Sequence, residues 1–143
     1  MDNYQKNIEI KIVKQWPSDQ IIDLYKAGGW WKESYDPSGI EPLIKGSFVF
    51  AIIFDKQKNI AVGMGRIISD GVSDAYLQDI ILLPEYRGKR LGKKLVNFLI
   101  NHCKSKGITW IALIAEPNQD EFYKPSGFKT MNDYVPMKYQ QGD

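Results

Sequence analysis

The segment 82–95 restricts the fold of this chain more than any other part of the sequence. An apolar strand that ends at Leu83 runs through a basic turn directly into an amphipathic helix that begins at Leu91. The first N–H groups of a helix have no partner inside the helix, and the helix dipole makes that end partly positive. The turn therefore predicts an anion site in which glycines let the main chain approach a phosphate closely. The residues that we expect to bind this phosphate are Arg87, Gly88, Lys89, Arg90, Leu91, Gly92 and Lys93.

Hydrophobic patterns on both sides of this segment predict a mixed fold of strands and helices. Alternating or β-branched apolar runs indicate strands, and apolar residues three or four positions apart indicate helices. The predicted strands cover residues 8–12, 48–54, 60–68, 75–83, 108–115 and 135–139. The predicted helices cover residues 18–27, 40–44, 91–106 and 118–124. Strand 108–115 is expected to lie parallel to strand 75–83, because the helix 91–106 connects them.

The basic turn resembles motif A of the GCN5-related N-acetyltransferases, the GNAT family. That motif reads Gln or Arg, two residues, Gly, one residue, then Gly or Ala; Arg87 and Gly92 occupy its ends, and Arg90 stands at the middle glycine. Residues 115–128 resemble the family's second pattern of alanine, asparagine, Phe-Tyr and Gly-Phe, with Pro125 where a lysine is more usual. The order of the predicted elements is also similar. The resemblance covers nearly the whole chain and implies one α+β domain over 1–143, with a mixed, mostly antiparallel sheet flanked by helices.

The resemblance implies an acetyl-CoA-dependent enzyme whose primary amine substrate attacks the thioester directly. In the family, the basic turn holds the pyrophosphate. Main-chain groups near Ile81, Leu82 and Leu83 are then expected to bind the pantetheine arm, and Asn118 to contact it. Tyr123 resembles the tyrosine that protonates the thiolate leaving group. A nucleotide-binding phosphate loop is a poorer interpretation, because Arg90 stands where that loop needs Ser or Thr.

Two further groups of residues are candidates for handling the acceptor amine. Asp79 interrupts an apolar strand, so it is either the general base or a hydrogen-bonded structural residue, with Glu116 as a lower-ranked base. Glu85, in the basic turn, is expected to face solvent or a neighbouring lysine. Aromatic side chains in the segment 30–41 accompany carboxylates, a combination that suits a cationic or arylalkyl amine. The residues expected to bind this acceptor are Trp30, Trp31 and Tyr35. The alternative interpretation is that the two tryptophans cover the core or form a homodimer contact. A peptide or protein amine as acceptor and a non-catalytic acyl-CoA sensor both remain open.

Composition excludes several other classes of function. The chain has 143 residues, 43% of them hydrophobic, a net charge of +2, one cysteine and one histidine. So small a net charge argues against nucleic acid, and so few ligands argue against a transition-metal site or a disulfide. Cys103 and His102 fall on the apolar face of helix 91–106, which predicts packed positions for both. We expect no membrane span and no secretory signal, and hence a cytoplasmic location.

Overall fold

The computed structural model describes residues 5–140 and confirms the expected mixed sheet with helices on both faces. Five strands, β1 to β5, lie side by side in chain order; the first three pairs are antiparallel, and β4 and β5 are parallel. The strands are β1 Ile8–Ile12, β2 Val49–Asp55, β3 Ile60–Ser69, β4 Asp74–Leu82 and β5 Trp110–Ala112. The α-helices are α1 Ser18–Ala27, α2 Ile40–Gly46, α3 Leu91–Ser105 and α4 Asp120–Tyr123. No helix in the described part of the chain is long and apolar enough to cross a membrane.

The core lies on both faces of strand β2, whose side chains alternate between two hydrophobic clusters. Val49, Ala51 and Ile53 face the cluster that α3 completes. Phe50 and Ile52 face the cluster that α1 and α2 complete. Helix α3 contributes a stripe of buried residues at the expected spacing, Leu91, Leu95, Leu99 and Cys103. His102 lies half-buried at the edge of this stripe, with its ring against Phe48. Both interpretations of the α3 residues as packed positions are confirmed.

The turn that leads into α3 is tied to the end of β2 by a buried hydrogen bond. The Tyr86 hydroxyl donates to Asp55 Oδ2 over 2.6 Å, and both residues are buried. The other oxygen of Asp55 accepts the N–H groups of Gln57 and Lys58 in the β2–β3 hairpin. The hairpin and the basic turn are therefore held as one unit, since an unpaired buried carboxylate would be costly.

Strand β4 contains a β-bulge where it pairs with β3. Arg66 pairs with Gln78 and Met64 with Ile81, so Asp79 and Ile80 together oppose the single residue Gly65 of β3. Asp79 has a φ of 59°, in the left-handed region that non-glycine residues rarely adopt. The opposing position is closely packed, because a Cβ on Gly65 would lie 2.5 Å from Ile80 Cδ1 and would force that side chain to move.

β4 and β5 separate shortly before the bulge. Their parallel pairing runs from Asp74 with Trp110 to Tyr76 with Ala112 and then stops. The predicted strand 108–115 is thus correct in direction but shorter, because only Trp110–Ala112 pair with β4. Residues 113–116 leave the sheet, and a wedge opens between the two strands.

The C-terminal part of the sequence prediction is wrong in two places. Residues 135–139 form no strand; Val135, Met137 and Tyr139 are exposed, and Pro136 has no N–H to donate to a ladder. Helix α4 begins at Asp120 and not at Asn118, because the φ of Asn118 is 66° and lies outside the helical region.

Candidate active site

The wedge between β4 and β5 opens into two adjoining cavities. The larger, of about 680 Å³, runs from the start of α3 to the wedge and is called the long cleft. The smaller, of about 290 Å³, lies between the separated strands and is called the inner cavity. Four residues, Trp30, Ile80, Glu116 and Tyr123, line both cavities and form the junction between them. A long ligand in the cleft and a small one in the inner cavity would meet at this junction.

The far end of the long cleft is built by the basic turn and the first turn of α3. Gly88, Arg90, Gly92 and Lys93 all line it. Arg90 precedes the helix in a left-handed conformation with a φ of 66°, and its carbonyl accepts the Lys94 N–H over 3.1 Å. The N–H groups of the first turn therefore lack intrahelical partners where the turn is basic, as anion binding requires.

Arg87 has a second task besides its charge. Its Nε–H donates to the Leu82 carbonyl over 3.0 Å and its guanidinium also donates to the Ala27 carbonyl over 3.3 Å. The side chain thus joins the end of β4, the end of α1 and the basic turn. The main-chain N–H and C=O groups of successive strand residues point to opposite sides. Leu83 N–H donates to the Val62 carbonyl on β3, so the main-chain groups of Leu82 point away from β3, toward the cleft.

Tyr123 reaches the junction from helix α4. Its ring packs edge-on against Phe122 and Phe128, at centroid distances of 4.9 and 5.9 Å. Burial, and then the negative charge of Glu116, raise the pKa of the Tyr123 hydroxyl. The hydroxyl accordingly stays protonated at neutral pH, as a proton donor must.

Asp79 is held by two partners on the wall of the inner cavity. Its Oδ2 accepts Arg66 Nε–H over 2.6 Å and the Tyr25 hydroxyl over 2.8 Å. Burial and the Asp79 charge raise the pKa of Tyr25, which therefore remains a donor. The carboxylate and guanidinium cancel each other's charge, and the pair holds the bulge in its left-handed conformation.

Trp30 and Glu116 meet across the junction although they are 86 residues apart in the sequence. Trp30 follows the end of α1, and its indole packs on Gly28, where a Cβ would lie 2.8 Å from the ring. Its Nε1–H donates to Glu116 Oε1 over 3.0 Å. The bond connects the end of α1 to the segment that follows β5.

The structure does not bring every predicted site residue to these cavities. Ten predicted residues line one or both: Trp30, Asp79, Ile81, Leu82, Arg87, Gly88, Arg90, Gly92, Lys93 and Tyr123. Leu91 is buried in the core, Leu83 packs against both clusters, and Lys89 lies exposed on the basic turn. Asn118 lies between the lining residues Pro117 and Gln119 without lining the cleft itself. Trp31 packs on the α1 cluster, and the exposed Tyr35 stacks edge-on against it.

Sequence reasoning missed several lining residues. They are Ala27, Gly28, Ile80, Pro117, Gln119 and Phe122 on the long cleft, with Leu77, Gln78, Leu113 and Ile114 on the inner cavity. From the sequence, Gly28 is predicted only to end the first helix. The interruption of an apolar strand at Asp79 is the one sequence signal for the bulge. Within residues 5–140, no three His, Cys, Asp or Glu side chains are grouped to hold a metal ion.

Comparison with known proteins shows what this chain is similar to. Residues 13–128 match the family described as Acetyltransferase (GNAT) family. "Uncharacterized N-acetyltransferase ycf52" of Pyropia yezoensis is 32% identical over 118 residues, which cover 78% of this chain and 67% of that protein. The chain spans about half to two thirds of the length of the first curated relatives that it matches.

Two solved structures share the fold. The GNAT family acetyltransferase SP0256 of Streptococcus pneumoniae has a TM-score of 0.78 at 25% identity, over 95% of this chain and 99% of that one. The PaiA N-acetyltransferase of Thermoplasma acidophilum, solved in complex with coenzyme A, has a TM-score of 0.67 at 22% identity, over 85% and 90% of the two chains.

The conformation of Arg90 predicts that Arg90→Gly stabilises the fold. A left-handed φ costs a non-glycine residue about 1 kcal/mol or more, and glycine removes that cost. We expect the free energy of unfolding in urea to rise by about 1 kcal/mol. Arg90→Lys is the matched control, because it keeps both the charge and the unfavourable φ and should leave stability unchanged. An equal or lower stability of Arg90→Gly would contradict the assigned conformation.

Proposed function

The chain belongs to the GNAT family of N-acetyltransferases, and on that premise we propose that it moves an acetyl group from acetyl-CoA to a primary amine by direct attack. The observation that carries the proposal is the junction, where one long basic-ended cleft and one small cavity share four lining residues. Two substrates that bind from the two sides would bring thioester and amine together there.

The long cleft suits coenzyme A along its whole length. The basic turn and the start of α3 would hold the pyrophosphate through main-chain N–H groups. The edge of β4 that faces the cleft, at Ile80 and Leu82, would bind the pantetheine arm and place an N–H at the thioester carbonyl. PaiA, a protein of the same fold, was solved with coenzyme A.

Tyr123 is proposed to give its proton to the departing thiolate. It lines the junction, and its raised pKa keeps the hydroxyl protonated. Direct transfer is favoured because Cys103 is buried in the α3 core, outside the lining of both cavities, and burial raises the pKa of its thiol. A thiol so placed makes a poor covalent nucleophile.

A small cationic or arylalkyl amine is the proposed acceptor. Carboxylates, the Trp30 ring and the aliphatic side chains of Leu113 and Ile114 surround the inner cavity. The cavity's size favours such an amine over a folded protein surface.

A free-thiol assay tests the class of acceptor, with acetyl-CoA and tyramine, phenethylamine, spermidine, lysine or a lysine-containing peptide. A non-catalytic sensor that binds coenzyme A would release no thiol with any of them. The cytoplasmic location and a homodimer stay predictions.

Replacement of Gly88 tests the place of the cofactor. Gly88 and Gly107 both have a positive φ, of 76° and 79°. A Cβ added to either would have no described atom within 4 Å beyond its chain neighbours. Only Gly88 lines the cleft. Alanine should strain either position similarly, by about 1 kcal/mol. We expect Gly88→Ala to weaken coenzyme A binding about tenfold in titration calorimetry, because the turn's N–H groups shift. Gly107→Ala should bind normally; equal affinities in both variants would place the pyrophosphate elsewhere.

Replacement of Tyr123 by Phe tests the proton donor. The variant keeps the aromatic packing but lacks the hydroxyl, so turnover should fall on the order of 10²-fold while coenzyme A affinity is unchanged. Tyr134→Phe is the control, since that tyrosine is 73% exposed. Wild-type turnover by Tyr123→Phe, with chemistry rate-limiting, would remove Tyr123 from the mechanism.

A further inference from the structure

We propose that Glu116 receives the amino group of the acceptor and takes the proton that this group must lose, and that Trp30 is its positioning residue. The inference rests on the proposed function and identifies the carboxylate that serves it. Two charged residues line the inner cavity, Asp79 and Glu116.

Asp79 is poorly suited to bind an ammonium group. The same oxygen, Oδ2, accepts from Arg66 at 2.6 Å and from Tyr25 at 2.8 Å, and the Asp79 side chain is only 21% exposed. The positive Arg66 cancels the charge that would attract a cation. A proton placed on Asp79 would also break the ion pair that holds the bulge, which makes this carboxylate a costly proton acceptor.

Glu116 has the position and the charge that Asp79 lacks. It lines both cavities, so it lies where the thioester and the amine would meet. Its Oε1 accepts the indole N–H of Trp30, a neutral donor that orients the carboxylate without cancelling its charge. Glu116 and the proposed proton donor Tyr123 both line the junction, and the negative charge of Glu116 contributes, after burial, to the raised pKa of Tyr123.

Trp30 fixes Glu116 because the indole is itself fixed. The ring lies on Gly28 and meets the ring of Tyr25 edge-on at 6.3 Å, and its main-chain N–H donates to the Tyr25 carbonyl. Tyr25 in turn donates to Asp79. The orientation of Glu116 thereby depends on the same residues that hold the bulge.

The proposed proton transfers balance over one reaction. The acceptor ammonium gives one proton to Glu116, which passes it to water. The neutral nitrogen then forms the C–N bond with the acetyl carbon while the C–S bond breaks, and Tyr123 gives its proton to the sulfur. The second proton of the nitrogen returns to Tyr123 through water, so the products are the amide, coenzyme A and one released proton.

The test compares Glu116→Gln with Glu9→Gln, a change at an exposed glutamate on β1 that lines neither cavity. The substrates are acetyl-CoA and the amine that the wild type acetylates fastest among tyramine, phenethylamine and spermidine. Glu116→Gln should raise the KM of the amine and lower turnover, so that kcat/KM for the amine falls by about 10²-fold while coenzyme A affinity is unchanged. The loss should be greatest at low pH and shrink as pH rises, because more of the amine is then already neutral.

Trp30→Phe supplies the second arm, because it removes the indole N–H and keeps an aromatic ring. Its loss should be smaller, about tenfold, and should add little to that of Glu116→Gln in the double variant, since both act through one carboxylate. A loss in Glu116→Gln that is equal at every pH, or additive losses in the double variant, would overturn the inference. If the wild type releases no thiol with any amine while it binds coenzyme A, the proposed function fails and the inference fails with it.

Discussion

The bulge in β4 is the feature on which the rest of the site depends. Asp79 adopts a left-handed φ of 59° and is held there by Arg66 and Tyr25. Such a conformation persists only where the surroundings determine it strongly, and here an ion pair and a buried phenol do so. The pairing of β4 with β5 ends at Tyr76 and Ala112, shortly before the bulge, and Asp79 and Ile80 line the cavity that opens between the two strands. The carboxylate that the sequence marks as a catalytic candidate therefore has a structural task that the geometry explains.

Each end of the long cleft is supported from outside it. The basic turn follows Tyr86, which the buried Asp55 ties to the β2–β3 hairpin, and Arg87 joins the turn to the end of α1. At the junction, the end of α1 also carries Trp30, whose indole holds Glu116. Helix α1 thus connects the basic turn at one end of the cleft with the proposed reaction centre, and its last residues position groups at both.

The parts of the fold that the sequence predicts are those with local, periodic signals. The stripe of Leu91, Leu95 and Leu99 and the turn before it suffice to predict α3, since helix starts and amphipathic faces are read within a few residues. The bulge is not predictable in this way, because it depends on Arg66 and Tyr25, which are distant in sequence. The Trp30 and Glu116 contact joins residues 86 positions apart. The alternating segment 135–139 predicts a strand that the structure lacks, because alternation shows amphipathicity but supplies no neighbouring strand.

Both substrates are proposed to occupy the junction together, so that the acetyl group passes between them without an acyl-enzyme. Initial rates measured while acetyl-CoA and the best amine of the panel are both varied test this most directly. Direct transfer requires a ternary complex, so double-reciprocal lines should intersect, and intact mass spectra after incubation with acetyl-CoA alone should show no acetylated protein. Parallel lines together with an acetylated chain, at Cys103 or elsewhere, that passes its acetyl group to the amine would contradict the account.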